Sequence, residues 1–259
     1  MNVSLSNKTA VICGSTQGIG LATAIILARS GANCILIARN EESLINALKE
    51  LPLTEGQQHS YAVADFSDPA TVSTAIQKIV ALDQGEILVN NSGGPKPGPV
   101  TTALTNEFEQ AFSQHLVCNH LLVQAVLPGM KAAGYGRIIN IISTSVKTPL
   151  PNLGVSNTIR AAVAGWAKTL SNEVGEYNIT VNNVLPGLTQ TTRYTKLLDS
   201  LSEEGNRNDV EKQLTNSIPM KRIGQPEEIG NVIAFLASPA ASYVTGVSIP
   251  VDGGRTPAI

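Results

Sequence analysis

Seven short apolar segments rich in β-branched residues alternate with longer segments of helical periodicity along this chain. The apolar residues of the short segments are continuous rather than alternating, which indicates strands covered on both faces, as in a parallel sheet. The predicted strands are residues 9–13, 34–38, 61–64, 87–89, 137–142, 180–184 and 247–251. Strands and helices joined by short connections predict a doubly wound α/β fold with right-handed crossovers.

The segments between these strands predict six principal helices. They cover residues 20–30, 41–51, 68–82, 107–130, 156–175 and 226–236. Asp68 stands where a helix cap is expected, and Pro69 suits the first turn. A chain of 259 residues with 42% hydrophobic residues can bury a sizeable core. We therefore predict one Rossmann-type domain over residues 1–259, with a seven-stranded parallel sheet.

One segment near the C-terminal strands is more polar than its surroundings. It covers about residues 187–217 and follows a predicted strand end. Polar insertions at such positions are typical of mobile segments that close over a substrate. We predict a substrate-side lid, and an ordinary pair of surface helices is the alternative.

Charge and cysteine content narrow the function classes. A net charge of −2, from 18 basic and 20 acidic residues without a basic run, disfavours nucleic-acid binding. Three widely spaced cysteines predict neither a disulfide framework nor a zinc cluster, and the three histidines lack metal-ligand spacing. The N-terminus does not resemble a secretory signal, and no apolar run approaches the roughly 20 residues of a membrane helix. We expect a cytoplasmic protein with no metal and no membrane segment.

The first predicted strand runs directly into a glycine-rich turn that opens a helix. The turn consists of Gly14, Ser15, Thr16, Gln17, Gly18, Ile19 and Gly20. Glycines allow the backbone to approach a diphosphate, and the free N–H groups of the helix N-terminus can bind it. This position predicts a dinucleotide site, with a tight turn lacking any ligand as the alternative.

The end of the second strand bears on the choice of dinucleotide. An acidic residue there would bind the ribose 2′-hydroxyl of NAD(H), whereas a 2′-phosphate favours a positive charge. The sequence has Ala38 followed by Arg39, whose guanidinium can make a forked contact with phosphate. We therefore predict NADP(H) rather than NAD(H), although a solvated arginine at a strand end is also common.

Several further motifs occur in the order typical of one family. They are the glycine turn, Asp65, Asn90-Asn91-Ser92-Gly93, Gly136-Arg137-Ile138-Ile139-Asn140-Ile141, Pro186-Gly187, Arg222-x-Gly224-x-Pro226-Glu227-Glu228-Ile229 and Val251-Asp252-Gly253-Gly254. With these motifs, nearly the whole chain resembles the short-chain dehydrogenase/reductase family, most closely its 3-oxoacyl-carrier-protein reductases.

The resemblance implies roles for residues that follow the predicted strands. It places Asp65 and Phe66 at the adenine. Three residues after the fourth strand would line the adenosine and diphosphate, namely Asn91, Ser92 and Gly93. Three residues after the sixth would lie beside the nicotinamide, namely Pro186, Gly187 and Thr189. All of them lie at strand carboxyl ends, where open α/β sheets bind ligands.

The resemblance also places the catalytic residues, and here the chain departs from the family. The family uses a serine, a tyrosine, a lysine four residues later and an asparagine on the preceding long helix. The corresponding positions hold Ser143, Ser156, Arg160 and His115. The resemblance thus implies that only the serine is retained.

These substitutions change the available proton chemistry. A serine hydroxyl cannot be brought near neutral pKa by an adjacent charge, and arginine does not lose its proton. His115 could act as an acid through water, or it could fill the asparagine's space, with a backbone carbonyl as its partner. Lys147 and Tyr194 are further candidates for the proton donor.

The function prediction follows from the retained and the altered residues together. We predict a divergent NADP(H)-dependent oxidoreductase that reduces a small-molecule carbonyl or oxidises an alcohol, and the resemblance implies a 3-oxoacyl reductase-like activity. A dinucleotide-binding pseudoenzyme that serves as sensor or scaffold is the alternative, and a protein-binding module without nucleotide is a third class. The resemblance also implies a homotetramer or homodimer.

Overall fold

A seven-stranded, all-parallel sheet forms the centre of the molecule, which confirms the predicted fold. The computed structural model describes residues 2–54, 56–81, 85–202 and 206–258. The strands are β1 (Thr9–Cys13), β2 (Asn33–Ala38), β3 (Ser60–Val63), β4 (Ile87–Asn90), β5 (Gly136–Ile141), β6 (Ile179–Pro186) and β7 (Ser248–Val251). Their spatial order is β3-β2-β1-β4-β5-β6-β7. The strand order therefore reverses between β1 and β4, the position at which such sheets bind ligands.

Helices cover both faces of the sheet, as fully apolar strands require. They are α1 (Gly18–Arg29), α2 (Glu41–Glu50), α3 (Pro69–Val80), α4 (Thr105–Phe112), α5 (Cys118–Ala133), α6 (Gly154–Val174), α7 (Thr192–Leu201), α8 (Arg207–Asn216) and α9 (Pro226–Ala237). Buried residues of α1, α2 and α9 pack on one face, and those of α3, α5 and α6 pack on the other.

Local hydrogen bonds explain where two of the helices begin. The Asp68 carboxylate accepts the Ala70 N–H at 3.0 Å, and Pro69 occupies the first turn of α3, so the predicted cap is confirmed. Asn40 caps α2 in the same way, by accepting the Ser43 N–H at 2.7 Å. The predicted end of α3 at residue 82 lies outside the described residues.

The predicted helix over residues 107–130 is helical throughout, but its middle forms a wider turn. α4 ends at Phe112, a π-helical turn spans Ser113–Val117, and α5 begins at Cys118. A π-turn is wider than an α-turn and is common at functional sites, because it redirects the side chains it contains. His115 lies in this turn and is only 1% exposed.

A chain of polar side chains crosses four strands of the sheet. The Asn90 side-chain amide donates to Asn140 at 2.9 Å, and Asn140 donates to Asn183 at 3.0 Å. Asn183 then donates to the Ser248 hydroxyl at 3.0 Å. These buried bonds join β4, β5, β6 and β7 and hold in register the strands from which the site residues project.

The region predicted as a lid, residues 187–217, contains α7 and α8, with residues 203–205 outside the described part. Tyr194 and Leu198 of this region pack with Ile218 and Ile223, which follow it, in a small hydrophobic cluster separate from the two that cover the sheet. Arg207 also pairs with Asp199 across the two helices at 2.7 Å. A separate small core suits a unit that can move as one body, and the lid function stays a prediction.

The three cysteines are free and buried. Burial raises the pKa of Cys13 and of Cys34 to about 12, so these thiols stay protonated at neutral pH. Cytoplasmic location stays a prediction. Within the described ranges, every helix is too short or too polar to cross a membrane. The same residues contain no group of three histidine, cysteine or acidic side chains that could hold a metal ion.

Candidate active site

The turn between β1 and α1 has the shape of a phosphate cradle. Gly14 and Gly18 have φ angles of +58° and +56°, which favour glycine. A Cβ at Gly14 would lie 2.8 Å from the carbonyl oxygen of Asn91, and one at Gly20 would overlap the Gly14 backbone. Gln17, at the start of α1, makes no side-chain capping bond within the described chain, so first-turn N–H groups can bind an anion.

The side chains of this turn have different surroundings. The Ser15 hydroxyl is fully buried and donates to a β2 carbonyl at 3.4 Å, so only the backbone of Ser15 can contact a ligand. Gln17 is exposed and accepts a hydrogen bond from the Thr192 hydroxyl at 3.0 Å. The start of α7 therefore contacts the turn directly. The two other residues of the turn that are not glycine, Thr16 and Ile19, are half-buried.

The predicted adenine end is only partly made of accessible side chains. Arg39 is exposed just after β2. The Asp65 carboxylate accepts the Ser67 N–H at 2.9 Å, and this bond, with a smaller effect of Arg39, lowers the pKa of Asp65. The side chain of Phe66 packs in the core at 7% exposed. Only the backbone of Phe66 is left for an adenine contact.

The loop after β4 joins the glycine turn to the π-turn. The Asn91 side chain donates to the Gly14 carbonyl at 3.1 Å, and the Gly93 carbonyl accepts from Gln114 at 3.1 Å. A Cβ built on Gly93 meets no atom of the described chain within 4 Å, so this glycine faces open space. The predicted residues of this loop therefore lie together beside the glycine turn of residues 14–20, which we call the nucleotide turn.

His115 is held by the loop rather than by a backbone carbonyl. Its Nδ1 lies 2.7 Å from the Ser92 hydroxyl, which corrects the alternative that a carbonyl satisfies the ring. Within the described residues, the buried Nε2 has no hydrogen-bond partner. Burial, followed by the charges of Arg160 and Arg193, lowers the pKa of His115 to about 2. The ring is neutral at neutral pH, which argues against the predicted role of His115 as an acid.

Ser143 follows β5 and has a defined hydrogen-bonding role. Its oxygen accepts the Ser145 N–H at 3.1 Å and so begins a short 3₁₀ turn. That bond leaves the hydroxyl hydrogen free to donate elsewhere. The residue is half-buried at the carboxyl edge of the sheet, where a substrate oxygen could accept this hydrogen.

Ser156 and Arg160 lie one turn apart on α6, and both are buried at 6% and 8% exposed. The Arg160 guanidinium donates through Nη1 to the Ile141 carbonyl at 3.0 Å, two residues before Ser143. Burial, followed by the charge of Arg193, lowers the pKa of Arg160 to about 10, so it stays cationic at neutral pH. The structure thus brings a buried positive charge close to the end of β5.

Arg193 is a residue that the sequence analysis missed. It lies in the first turn of α7, and its Nη2 donates to the Pro95 carbonyl at 3.4 Å. Its guanidinium occupies the space that a Cβ on Gly94 would need. In the sequence, the only indication of a role for Arg193 is a positive charge two residues after Thr191, the residue that caps α7. The folded chain shows in addition that α7 lies against the loop after β4.

The segment after β6 packs against the C-terminal loop. The Gly187 N–H donates to the Val251 carbonyl at 3.0 Å, and a Cβ at Gly187 would lie 2.6 Å from Cβ of Asp252. The Thr189 hydroxyl turns back to the Gly187 carbonyl at 3.1 Å. Pro186, the last residue of β6, completes this predicted nicotinamide-side group.

Two further candidates for the proton donor lie elsewhere. The Tyr194 hydroxyl donates to Glu211 on α8 at 3.1 Å inside the small lid core. Burial and this carboxylate raise the pKa of Tyr194 to about 12. Lys147 is exposed on the surface after the 3₁₀ turn.

A family model described as enoyl-(acyl carrier protein) reductase matches residues 14–256. A relative from Bacillus subtilis (strain 168), the NADPH-dependent reductase BacG, is 33% identical and aligns with 98% of this chain and all of its own length. The chain belongs to the short-chain dehydrogenase/reductase family. It is also 35% identical to the 3-oxoacyl-[acyl-carrier-protein] reductase FabG of Pseudomonas aeruginosa, over 97% of this chain and 98% of that protein.

Solved structures of the family have the same fold over the whole chain. The NADPH-dependent reductase YwfH, involved in bacilysin biosynthesis, superposes with a TM-score of 0.93 at 31% identity, covering 98% of this chain and all of that one. The L-sorbose reductase of Gluconobacter frateurii, solved with NADPH and L-sorbose, gives 0.94 at 31% identity over both complete chains.

These relatives are oxidoreductases by name, which confirms the predicted enzyme class. They lend no support to the alternative of a dinucleotide-binding pseudoenzyme.

Proposed function

We propose that this protein is an NADPH-dependent reductase of small-molecule carbonyl compounds, similar to 3-oxoacyl reductases, and that it oxidises the corresponding alcohols in reverse. The observation that carries this proposal is the free hydroxyl hydrogen of Ser143 at the sheet edge, near the buried cation of Arg160. A donor and a fixed positive charge are what a carbonyl oxygen needs as it becomes negative.

The nucleotide turn fits NADPH. Gly14, Gly18 and Gly20 leave the backbone open to the diphosphate, and Arg39 is the exposed cation suited to the 2′-phosphate. Relatives named as NADPH-dependent or solved with NADPH support this choice. When bound, NADPH supplies a hydride to the carbonyl carbon.

The protein's residues would then stabilise the oxygen rather than protonate it. Ser143 donates its hydrogen to the oxygen, and Ser156 offers a second hydroxyl from α6. Arg160 holds a positive charge that does not dissociate at neutral pH. The proton that completes the alcohol comes from water, because His115 is neutral and the Tyr194 hydroxyl lies in the lid core.

We also propose that Ser156 and Arg160 stand where the family has its tyrosine and lysine. Their spacing of four residues on α6 supports this, since both then project from one helix face. Arg160 would retain the lysine's positive charge but not its ability to lose a proton.

The direct test is NADPH oxidation with a panel of aldehydes, ketones and 3-oxoacyl thioesters. We expect turnover with at least one of them, and the Ser143→Ala variant should lose about a hundredfold in kcat with NADPH affinity unchanged. NADPH binding without turnover of any panel member would instead favour the pseudoenzyme.

We further propose a homotetramer or homodimer. The exposed face of α6 carries the small residues Ala161 and Gly165, which permit close approach of a second helix. Light scattering should give a mass of two or four chains, and Gly165→Glu should reduce it. A wild-type mass of one chain would overturn this proposal.

A further inference from the structure

Three nitrogen-bearing side chains from different parts of the chain converge beside the loop after β4. His115 comes from the π-turn, Arg160 from α6 and Arg193 from the start of α7. The loop itself bonds to two of them, because Ser92 contacts His115 at 2.7 Å and Pro95 accepts from Arg193 at 3.4 Å.

The contacts of the three side chains fix where they lie. His115 and Arg193 bond to Ser92 and Pro95 of the loop after β4, and Arg160 bonds to the Ile141 carbonyl at the end of β5. In agreement with these contacts, burial, followed by both guanidinium charges, lowers the pKa of His115. Burial of an arginine next to another cation is unfavourable unless an anion joins them.

The described chain supplies no such anion. Its ion pairs join Lys8 to Glu86, Arg207 to Asp199 and Arg222 to Glu228, and neither Arg160 nor Arg193 takes part in one. Each guanidinium has one hydrogen bond to a backbone carbonyl, which leaves several N–H donors without a partner in the described residues. The buried Nε2 of His115 likewise has none there.

We infer that the substrate carries an anionic group, a carboxylate or a phosphate, in addition to its carbonyl, and that Arg193 binds this group while Arg160 faces the carbonyl. This inference rests on the proposed function and specifies its substrate class. Guanidinium groups suit both anions, because their planar fork matches two oxygens at once.

The positions of the two arginines divide the task between them. Arg160 is buried and bonds to the Ile141 carbonyl two residues before Ser143, whereas Arg193 is exposed and bonds to the loop after β4. Arg193 also belongs to the predicted lid, whose Thr192 contacts the nucleotide turn at Gln17. An anion bound by Arg193 would hold α7 in its place against the loop after β4 and so couple substrate binding to the closed position of the predicted lid.

Matched pairs of ligands that differ in charge test this inference. The pairs are pyruvate and methyl pyruvate, laevulinate and methyl laevulinate, and dihydroxyacetone phosphate and dihydroxyacetone. Binding to the full-length protein saturated with NADP+ is measured by calorimetry, so no turnover is needed. We expect at least one anion to bind about tenfold more tightly than its neutral partner. The first two pairs report on a carboxylate, and the third reports on a phosphate.

Variants then assign the preference to Arg193. Arg193→Gln should bring the affinity ratio close to one, and Arg193→Lys should retain part of it. Arg207→Gln is the matched control, since it removes an exposed guanidinium of the same segment that already pairs with Asp199. NADPH affinity should be the same in all four proteins.

Three results would overturn the inference. The first is equal binding of anion and neutral partner in every pair, which includes the case that neither binds. The second is a preference for the anion that survives Arg193→Gln. The third is a loss of NADPH affinity in Arg193→Gln while the affinity ratio of anion to neutral partner is unchanged. The last result would assign Arg193 to the cofactor instead. Reduction of neutral ketones alone would leave the proposed function standing while removing the anion site, so the two failures are distinguishable.

Discussion

The residues proposed as catalytic are better suited to stabilising an oxyanion than to transferring a proton. A serine hydroxyl and a guanidinium both keep their protons at neutral pH. The imidazole of His115 is neutral there, because its pKa lies at about 2. Proton transfer from a positioned side chain typically contributes about 10² to 10⁴ in rate, so its absence should make the enzyme slow.

If Ser156 and Arg160 stand where the family has its tyrosine and lysine, as proposed, then restoring those two residues should increase the rate. We expect the double variant Ser156→Tyr/Arg160→Lys to reduce a carbonyl substrate about a hundredfold faster than the wild type, because a phenol beside a lysine can donate a proton. Steady-state kcat with saturating NADPH is the measurement.

The control for this prediction is Thr158→Tyr. Thr158 is exposed on the same helix, so its phenol points to solvent and the rate should not change. A double variant that is folded but no faster than the wild type would argue that Ser156 and Arg160 do not occupy the acid and cation positions.

His115 makes a prediction about stability and pH. Its pKa is about 2 in the folded protein and near 6.5 when unfolded, so between these values only the unfolded chain takes up the proton. Stability is therefore lost as the pH falls below 6.5. Between pH 7 and pH 5 we expect the wild type to lose about 2 kcal/mol more than His115→Asn, measured by urea unfolding.

His120→Asn is the matched control for this experiment. His120 is exposed one turn further along, so its replacement leaves the buried surroundings of His115 in place, and the loss of stability attributed to His115 should remain. If His115→Asn and the wild type lose stability in parallel, the ring of His115 is not desolvated as the structure shows.

At the scale of elements, the nucleotide turn depends on the close approach of three segments. The turn contacts the loop after β4 through Asn91 and the start of α7 through Gln17. A Cβ at Gly18 would lie 3.1 Å from the Thr191 side chain, and the φ of +56° there disfavours any other residue.

We expect Gly18→Val to raise the dissociation constant of NADPH by about tenfold or more, because the side chain would fill the space above the α1 N-terminus. NADPH fluorescence titration measures this. Gly165→Ala is the control, since a Cβ there meets no described atom within 4 Å. An unchanged affinity in Gly18→Val would place the diphosphate elsewhere.

At the scale of the whole molecule, one buried arginine joins elements that are far apart in sequence. Arg137, at 1% exposed, donates to the carbonyls of Gly136, Asn178 and Ser238 and stacks on the Tyr135 ring at 4.1 Å. These contacts connect β5 to the turn before β6 and to the end of α9.

Removing this side chain should destabilise the entire domain. We expect Arg137→Ala to lower the free energy of unfolding by about 3 kcal/mol, because buried carbonyls lose their donors and a cavity forms. Equilibrium urea unfolding measures it, with Arg29→Ala as an exposed control expected to change little. A loss of less than about 1 kcal/mol would show that water replaces the guanidinium.

The sequence by itself determined the α/β architecture, the seven strands and the location of the nucleotide turn. These depend on hydrophobic periodicity and on glycine, which act locally and are therefore readable along the chain. The positions of Ser143, Ser156, Arg160 and His115 came from motif spacing, which is equally local.

Only the tertiary structure determined the burial and the neighbouring charges of those side chains. The π-turn that buries His115, the core packing of Phe66 and the approach of Arg193 to Pro95 are set by contacts between segments distant in sequence. Burial and neighbouring charge determine whether a side chain is a proton donor, a fixed charge or a core residue. Because both arise only when strands, helices and loops pack together, sequence spacing cannot supply them.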